Sequence, residues 1–281
     1  MPAQELLVER PKLSTVIKVA ANGNLPTMFY AVFILLFGLV CGSFNSVLVF
    51  RVPLGAKISG RSQCTSCGTQ IANRDNVPIF GYLLLHGKCR NCQVRISPRY
   101  LYLEIATALG AFLPFLAFDR WLEILAWELF IVLGIALAAI DFEHHRLPDP
   151  LTGSLYLGGL ALISLDALTH HRSHQLHNAF IASVALGAFY WAVSVLSKGG
   201  MGMGDVKLAT SIGLFTGYIS GTTVYVGSML GFAMGSVVGG YLILMKKASR
   251  KSPLPFGPFM LAGAVLAIWI TPIVTHVRGL S

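Results

Sequence analysis

The sequence predicts an all-α polytopic membrane protein of about eight transmembrane helices with one small polar loop domain on the cytoplasmic side. Three observations predict it. Hydrophobic residues make up 54% of the 281 and charged residues 12%, against about 25% charged in a soluble domain. Apolar runs of about 18 residues or more recur along the chain. Lys and Arg gather in alternate loops between those runs, as cytoplasmic loops do.

Residues 1–26 mix Leu6, Leu7, Val8, Leu13, Val16 and Ile17 with charge around Pro11, which reads as an interfacial helix or a loose tail. The first span covers 27–50, and 51–100 is a long polar loop. Further spans are expected at about 101–118, 121–140, 151–168, 178–196, 206–220, 222–245 and 255–275. The sixth of the eight is the shortest and is interrupted by Gly213, Gly217 and Gly221. Four segments result: the tail 1–26, the helix 27–50, the loop domain 51–100 and a helical domain 101–281.

The loops 51–100, 141–150, 197–207 and 246–254 hold 15 of the 21 Lys and Arg. That side is expected to be cytoplasmic, with both termini outside. The net charge of +9 thus reads as loop charge in a lipid bilayer protein, and no nucleic-acid partner is expected.

With only 12 Asp and Glu in the chain, acids at span boundaries stand out. Asp205 ends a turn containing Gly199, Gly200, Gly202 and Gly204 at the mouth of the sixth span; the competing reading is a helix N-cap. Asp141 stands at the end of the third span. Two crossings separate them, so topology returns both to one membrane face. Two close carboxylates can share one proton, one acting as base on water while the other polarises a carbonyl. The flanking glycines, Gly202 and Gly204 among them, let an extended peptide approach the backbone. Lys207 either tunes the pair or marks the cytoplasmic side. Glu143 and Asp149 are alternative acids or loop charges; His144, His145 and Arg146 read as interface residues, with metal binding by the two histidines the lesser reading because helix neighbours point apart.

Cys64-Thr-Ser-Cys67 and Cys89-Arg-Asn-Cys92 form two C-x-x-C knuckles within the 51–100 loop. Four thiolates in a reducing compartment suit a structural zinc, which would fold a loop too small for its own core. A redox pair is the competing reading.

Together these residues resemble the bacterial type IV prepilin peptidases, a family of membrane aspartyl proteases with a Gly-x-Gly-Asp signature. The resemblance rests on Gly42-Ser-Phe-Asn45, Arg51-Val-Pro53, the paired knuckles, Asn76-Val-Pro-Ile-Phe-Gly-Tyr82, Gly87-Lys-Cys89, Arg99-Tyr100 with Glu104, Asp141 with Leu147-Pro-Asp149, Gly202-Met-Gly-Asp-Val-Lys-Leu208, and Pro255-Phe-Gly-Pro-Phe259. It implies an inner-membrane enzyme whose active site faces the cytoplasm. It implies that Asp141 and Asp205 cleave the basic leader of prepilins or pseudopilins after glycine, serving type IV pili or type II secretion. It also implies S-adenosylmethionine-dependent methylation of the new N-terminus, with Glu104 as the candidate residue. Asn45, Gly81 and Leu101 depart from the family pattern, all in the half linked to methylation and zinc.

The competing function is a proton- or cation-coupled transporter using the same two aspartates. Transporter sites sit towards the bilayer midplane, whereas these acids lie at one surface.

Overall fold

A computed structural model of the chain describes residues 25–197, 201–247 and 254–278. The 1–26 tail lies almost wholly outside these residues, as do Gly199, Gly200 and part of the 246–254 loop. Among the described residues the ordered elements are helical: α1 (Leu25–Arg51), α2 (Phe80–Leu84), α3 (Arg99–Gly110), α4 (Phe112–Ala117), α5 (Trp121–His144), α6 (Asp149–Thr169), α7 (Ser173–Leu196), α8 (Met203–Ile219), α9 (Gly221–Leu244) and α10 (Gly257–Arg278), with a 3-10 turn at Asn73–Asp75. The described β-structure is two isolated bridges, Gln63 with Gln70 and Lys88 with Arg95.

Seven stretches are long and apolar enough to cross a membrane: Val32–Arg51, Arg99–Ala117, Trp121–His144, Asp149–Thr169, Ser173–Leu196, Gly221–Leu244 and Gly257–Thr275. They match seven of the eight expected spans. The remaining span is α8, which has 17 residues.

Helix ends follow local chemistry. α5 stops where His145 adopts a left-handed φ of 49°, and Pro148 and Pro150 start α6. At the start of α8 the Asp205 carboxylate accepts a hydrogen bond from the Gly202 amide at 3.2 Å. Ser220 caps α9 by accepting from the Thr223 amide at 3.1 Å.

The chain forms two compact units. One contains α1, the polar loop, α2, α3 and the 131–136 stretch of α5. Within it α1 and α3 pack so closely that a Cβ on Gly42 would meet the Glu104 Cα at 2.7 Å. Buried Asn45 donates to the Thr107 hydroxyl at 3.1 Å and to the Val132 carbonyl at 2.9 Å.

The other unit contains residues 114–130 and 137–278 of the described chain. Its centre is α8, with eleven of 17 residues buried. Two of the glycines that interrupt its hydrophobic pattern, Gly213 and Gly217, let it pack there. A Cβ on Gly213 would stand 2.5 Å from the Ala182 carbonyl oxygen, and one on Gly217 would stand 2.5 Å from the Ala182 Cβ. These small residues, four apart on one face, let α7 and α8 approach backbone to backbone. Phe215 on the same helix packs against Trp127 and Phe130 of α5, with ring centroids 5.5 and 5.0 Å away.

Candidate active site and metal centre

α5 ends and α8 begins at the same end of their unit, and each carries one of the two aspartates there. Asp141 sits in the last turn but one of α5 and is 4% exposed. Its Oδ2 accepts a hydrogen bond from the Gly257 amide at 3.0 Å. That amide is at the first residue of α10, where the backbone N–H groups have no helical partner and favour an anion. Asp205 is half-buried in the first turn of α8, with its Oδ2 held by the Gly202 amide. The two carboxylates lie within electrostatic reach of one another.

Leu147, in the turn after α5, packs between the two sides. A Cβ on Gly204 would stand 3.0 Å from the Leu147 Cβ. A Cβ on Gly257 would stand 2.9 Å from Asp141 Oδ2 and 3.3 Å from a Leu147 methyl. At both positions the absence of a Cβ lets the backbone approach Leu147 and, at Gly257, the Asp141 carboxylate closely. Tyr190 of α7 feels the charge of Asp205, stacks on Phe232 and lies tilted against Phe256, one residue before Gly257.

Lys207 turns outward from this site. Its Nζ is 2.6 Å from Asp149 Oδ1, and both side chains are largely exposed. This exposed pair links α6 to α8 beside the aspartates. Glu143 lies 3.9 Å from His144. Sequence reasoning pointed to Asp141, Asp205 and the glycine turn but missed the Gly257 amide and Tyr190. Pro255-Phe-Gly-Pro-Phe259 stood out as a pattern, and that was the available signal.

In the other unit the four knuckle sulfurs, Cys64, Cys67, Cys89 and Cys92, lie within 4.8 Å of one another. The two knuckles are built alike. The Cys64 and Cys89 amides donate to the Thr69 and Val94 carbonyls, and the Cys64 and Cys89 carbonyls accept from the Gly68 and Gln93 amides. Gly68 and Gln93 both have positive φ, 69° and 57°, so each turn closes the same way. A tetrahedral ion with Zn–S bonds of about 2.3 Å needs sulfurs about 3.8 Å apart. Cys64 Sγ and Cys92 Sγ are 3.8 Å apart. The thiols also differ in acidity. Hydrogen bonds with the Thr69 side chain and backbone lower Cys67 to about 6. The Val94 amide pulls Cys92 down, but desolvation and the neighbouring sulfurs push it up to about 11. The donor set fits zinc, which would deprotonate all four thiols and cross-link the loop.

The knuckles are tied to Glu104 through side chains. Arg90, inside the second knuckle, makes a two-pronged bond to Asp75, with Nε to Oδ2 at 2.7 Å and a terminal nitrogen to Oδ1 at 2.6 Å. Asp75 begins the turn into α2, and a Cβ on Gly81 would clash with its carbonyl. Ile79 in that turn has φ 62°, unusual for a β-branched residue. Its amide donates to Glu104 Oε2 at 2.7 Å, which holds the strained turn against α3. Glu104 also hydrogen-bonds Ser43, next to Gly42.

Comparison with known proteins separates the same halves. The family model for the bacterial peptidase A24 N-terminal domain matches residues 36–118. The model for the type IV leader peptidase family matches 128–247. The prepilin leader peptidase/N-methyltransferase of Aeromonas salmonicida is 31% identical over 91% of this chain and 95% of its own length. The chain belongs to the type IV leader peptidase family. It is therefore an enzyme of a protease family, built as a membrane protein. The Stutzerimonas stutzeri relative of the same name is 31% identical over 84% of this chain and 89% of its own. The type 4 prepilin-like proteins leader peptide-processing enzyme of Escherichia coli is 31% identical over 83% and 91%. No solved structure matches the chain.

Proposed function

We propose that this leader peptidase is an inner-membrane aspartyl endopeptidase that cleaves the basic leader of prepilins or pseudopilins after glycine and then methylates the new N-terminus. The observation that carries the reading is the pairing of Asp141 and Asp205 within electrostatic reach, each gripped by one backbone amide. The names of the relatives carry the substrate and the second activity.

The chemistry follows from the pair. One carboxylate takes a proton from water while the protonated partner donates a hydrogen bond to the scissile carbonyl. The oxygen adds to the carbonyl carbon, and the C–N bond then breaks as the departing amine takes up a proton. Neither aspartate forms a covalent intermediate. The fixed Gly257 and Gly202 amides hold the carboxylates in place and need no reorganisation during the reaction. Gly202, which is exposed, leaves its backbone open to an extended peptide, and the Lys207–Asp149 pair lies beside it on the surface.

Residues 51–100 form the zinc-binding loop domain, and 101–281 form the peptidase domain. The basic side, with the aspartates, faces the cytoplasm. Cys64, Cys67, Cys89 and Cys92 hold a structural zinc. Glu104 serves methylation, for which bound S-adenosylmethionine supplies the methyl group.

The test is a purified enzyme given a prepilin in detergent. Asp141→Asn and Asp205→Asn are expected to lose cleavage by roughly 10³-fold or more while remaining folded. Full cleavage by either variant overturns the pair. A cleaved product that gains no methyl mass with S-adenosylmethionine removes the second activity.

A further inference from the structure

At the opposite end of α5, α6 and α8 from the aspartates lies a buried polar cluster that the proposed reaction does not touch. Asp166, in the last turn of α6, is 0% exposed. Its Oδ2 accepts from the Tyr218 hydroxyl of α8 at 2.6 Å and from Arg120 Nε at 3.1 Å. Arg120 immediately precedes α5 and also bonds the buried Glu123 one turn on. His170 Nδ1 stands 3.3 Å from the other Asp166 oxygen.

These groups join the three helices that end at the candidate active site. α5 runs from Arg120 and Glu123 to Asp141. α8 runs from Asp205 to Tyr218. α6 runs between them, from Asp149 beside Lys207 to Asp166. At 1.5 Å rise per residue the cluster lies about 20 Å or more along α5 and α8 from either aspartate. It does not reach the reacting atoms at either aspartate. A buried ion pair contributes little net stability against an apolar replacement, but it admits only one geometry. Sliding α8 would take the Tyr218 hydroxyl away from Asp166, and sliding α5 past α6 would strand the Asp166 and Arg120 charges in an interior that cannot solvate them.

We infer that Arg120, Glu123, Asp166 and Tyr218 are positioning residues that lock the axial register of α5, α6 and α8 and so hold Asp141 opposite Asp205. This rests on the aspartate pair being catalytic. The cluster sets the attack geometry and leaves peptide binding to other surfaces. Its loss therefore lowers kcat and spares KM, because a displacement of about 1 Å at a reacting centre costs up to about 100-fold.

The experiment measures leader cleavage by full-length enzyme carrying Tyr218→Phe, Asp166→Asn or both. Tyr218→Phe removes one hydroxyl and keeps the ring, so it is the variant least prone to misfold. Far-ultraviolet circular dichroism and gel filtration in detergent quantify the folded enzyme. The expected result is a kcat per folded molecule lowered about 10- to 100-fold with KM within about twofold. The double variant should be no worse than Asp166→Asn alone, because both act through one bond. Wild-type kcat per folded molecule, a change confined to KM, or additive losses would overturn the inference. Asp141→Asn and Asp205→Asn are assayed alongside. If either cleaves normally, the catalytic pair fails and this inference with it. If both are inactive while the cluster variants match wild type, this inference alone fails.

Discussion

The Gly257 amide donates to Asp141 Oδ2 across 116 residues of chain. This bond brings the start of α10, outside both family-model matches, into the candidate active site. It also makes Gly257 sensitive to any side chain. Gly257→Ala places a methyl 2.9 Å from the carboxylate oxygen and 3.3 Å from Leu147. The expected result is a cleavage rate at least about tenfold lower and a stability loss of about 1–3 kcal/mol from overpacking. Steady-state kinetics and detergent melting check the two effects separately.

Gly217 is a packing position of the same kind without a catalytic neighbour. A Cβ there would meet Ala182 Cβ at 2.5 Å and Ala179 Cα at 3.1 Å. Gly217→Val should lower thermal stability by roughly 1–3 kcal/mol or prevent insertion of α8, because backbone cannot move aside as a flexible side chain can. Melting temperature and membrane yield measure this. A variant as stable as wild type would contradict the close α7–α8 crossing.

Lys207 and Asp149 make the opposite case. Their bond is short, at 2.6 Å, but the side chains are 48% and 71% exposed. Solvent screening limits such a pair to about 0–1 kcal/mol. Lys207→Met should therefore leave stability within about 1 kcal/mol of wild type. An effect on cleavage without an effect on melting would assign Lys207 to peptide binding, and salt titration of KM would report it.

Metal analysis of enzyme purified under reducing, chelator-free conditions should give about one zinc per chain. Cys64→Ser should lower that occupancy and loosen the 51–100 loop to proteolysis. Protons compete with the metal for the thiols. Cys92, at about 11 without metal, is protonated at neutral pH, and zinc must displace that proton. Affinity should therefore rise with pH and fall on acidification, which a competing chelator titrated at several pH values would show.

Glu104 holds the Ile79 amide with a carboxylate that an amide can imitate. Glu104→Gln keeps a carbonyl acceptor for the turn and removes the negative charge. Methyl transfer should fall at least about tenfold while leader cleavage stays within about twofold, if the charge rather than the turn matters. Product mass after parallel assays separates the two activities.

The sequence by itself determined the membrane class, seven of the long helices, the paired cysteine knuckles and the two aspartates. The reason is that each of these is written in local composition: apolar runs set spans, C-x-x-C spacing sets a knuckle, and counting crossings puts Asp141 and Asp205 at one face. It marked α8 as the poorest span, with its glycines as breaks. Tertiary structure shows the physical cause at two of them, since Gly213 and Gly217 are where α7 presses against α8. Only tertiary structure decided that Gly257 grips Asp141, that Arg90 ties a knuckle to Asp75, and that Asp166 joins Arg120 to Tyr218. These bonds join residues distant in the chain through backbone amides or polar side-chain atoms, whose partners no residue spacing encodes. They form only when packed helices bring a buried acceptor to a donor that has no water to turn to.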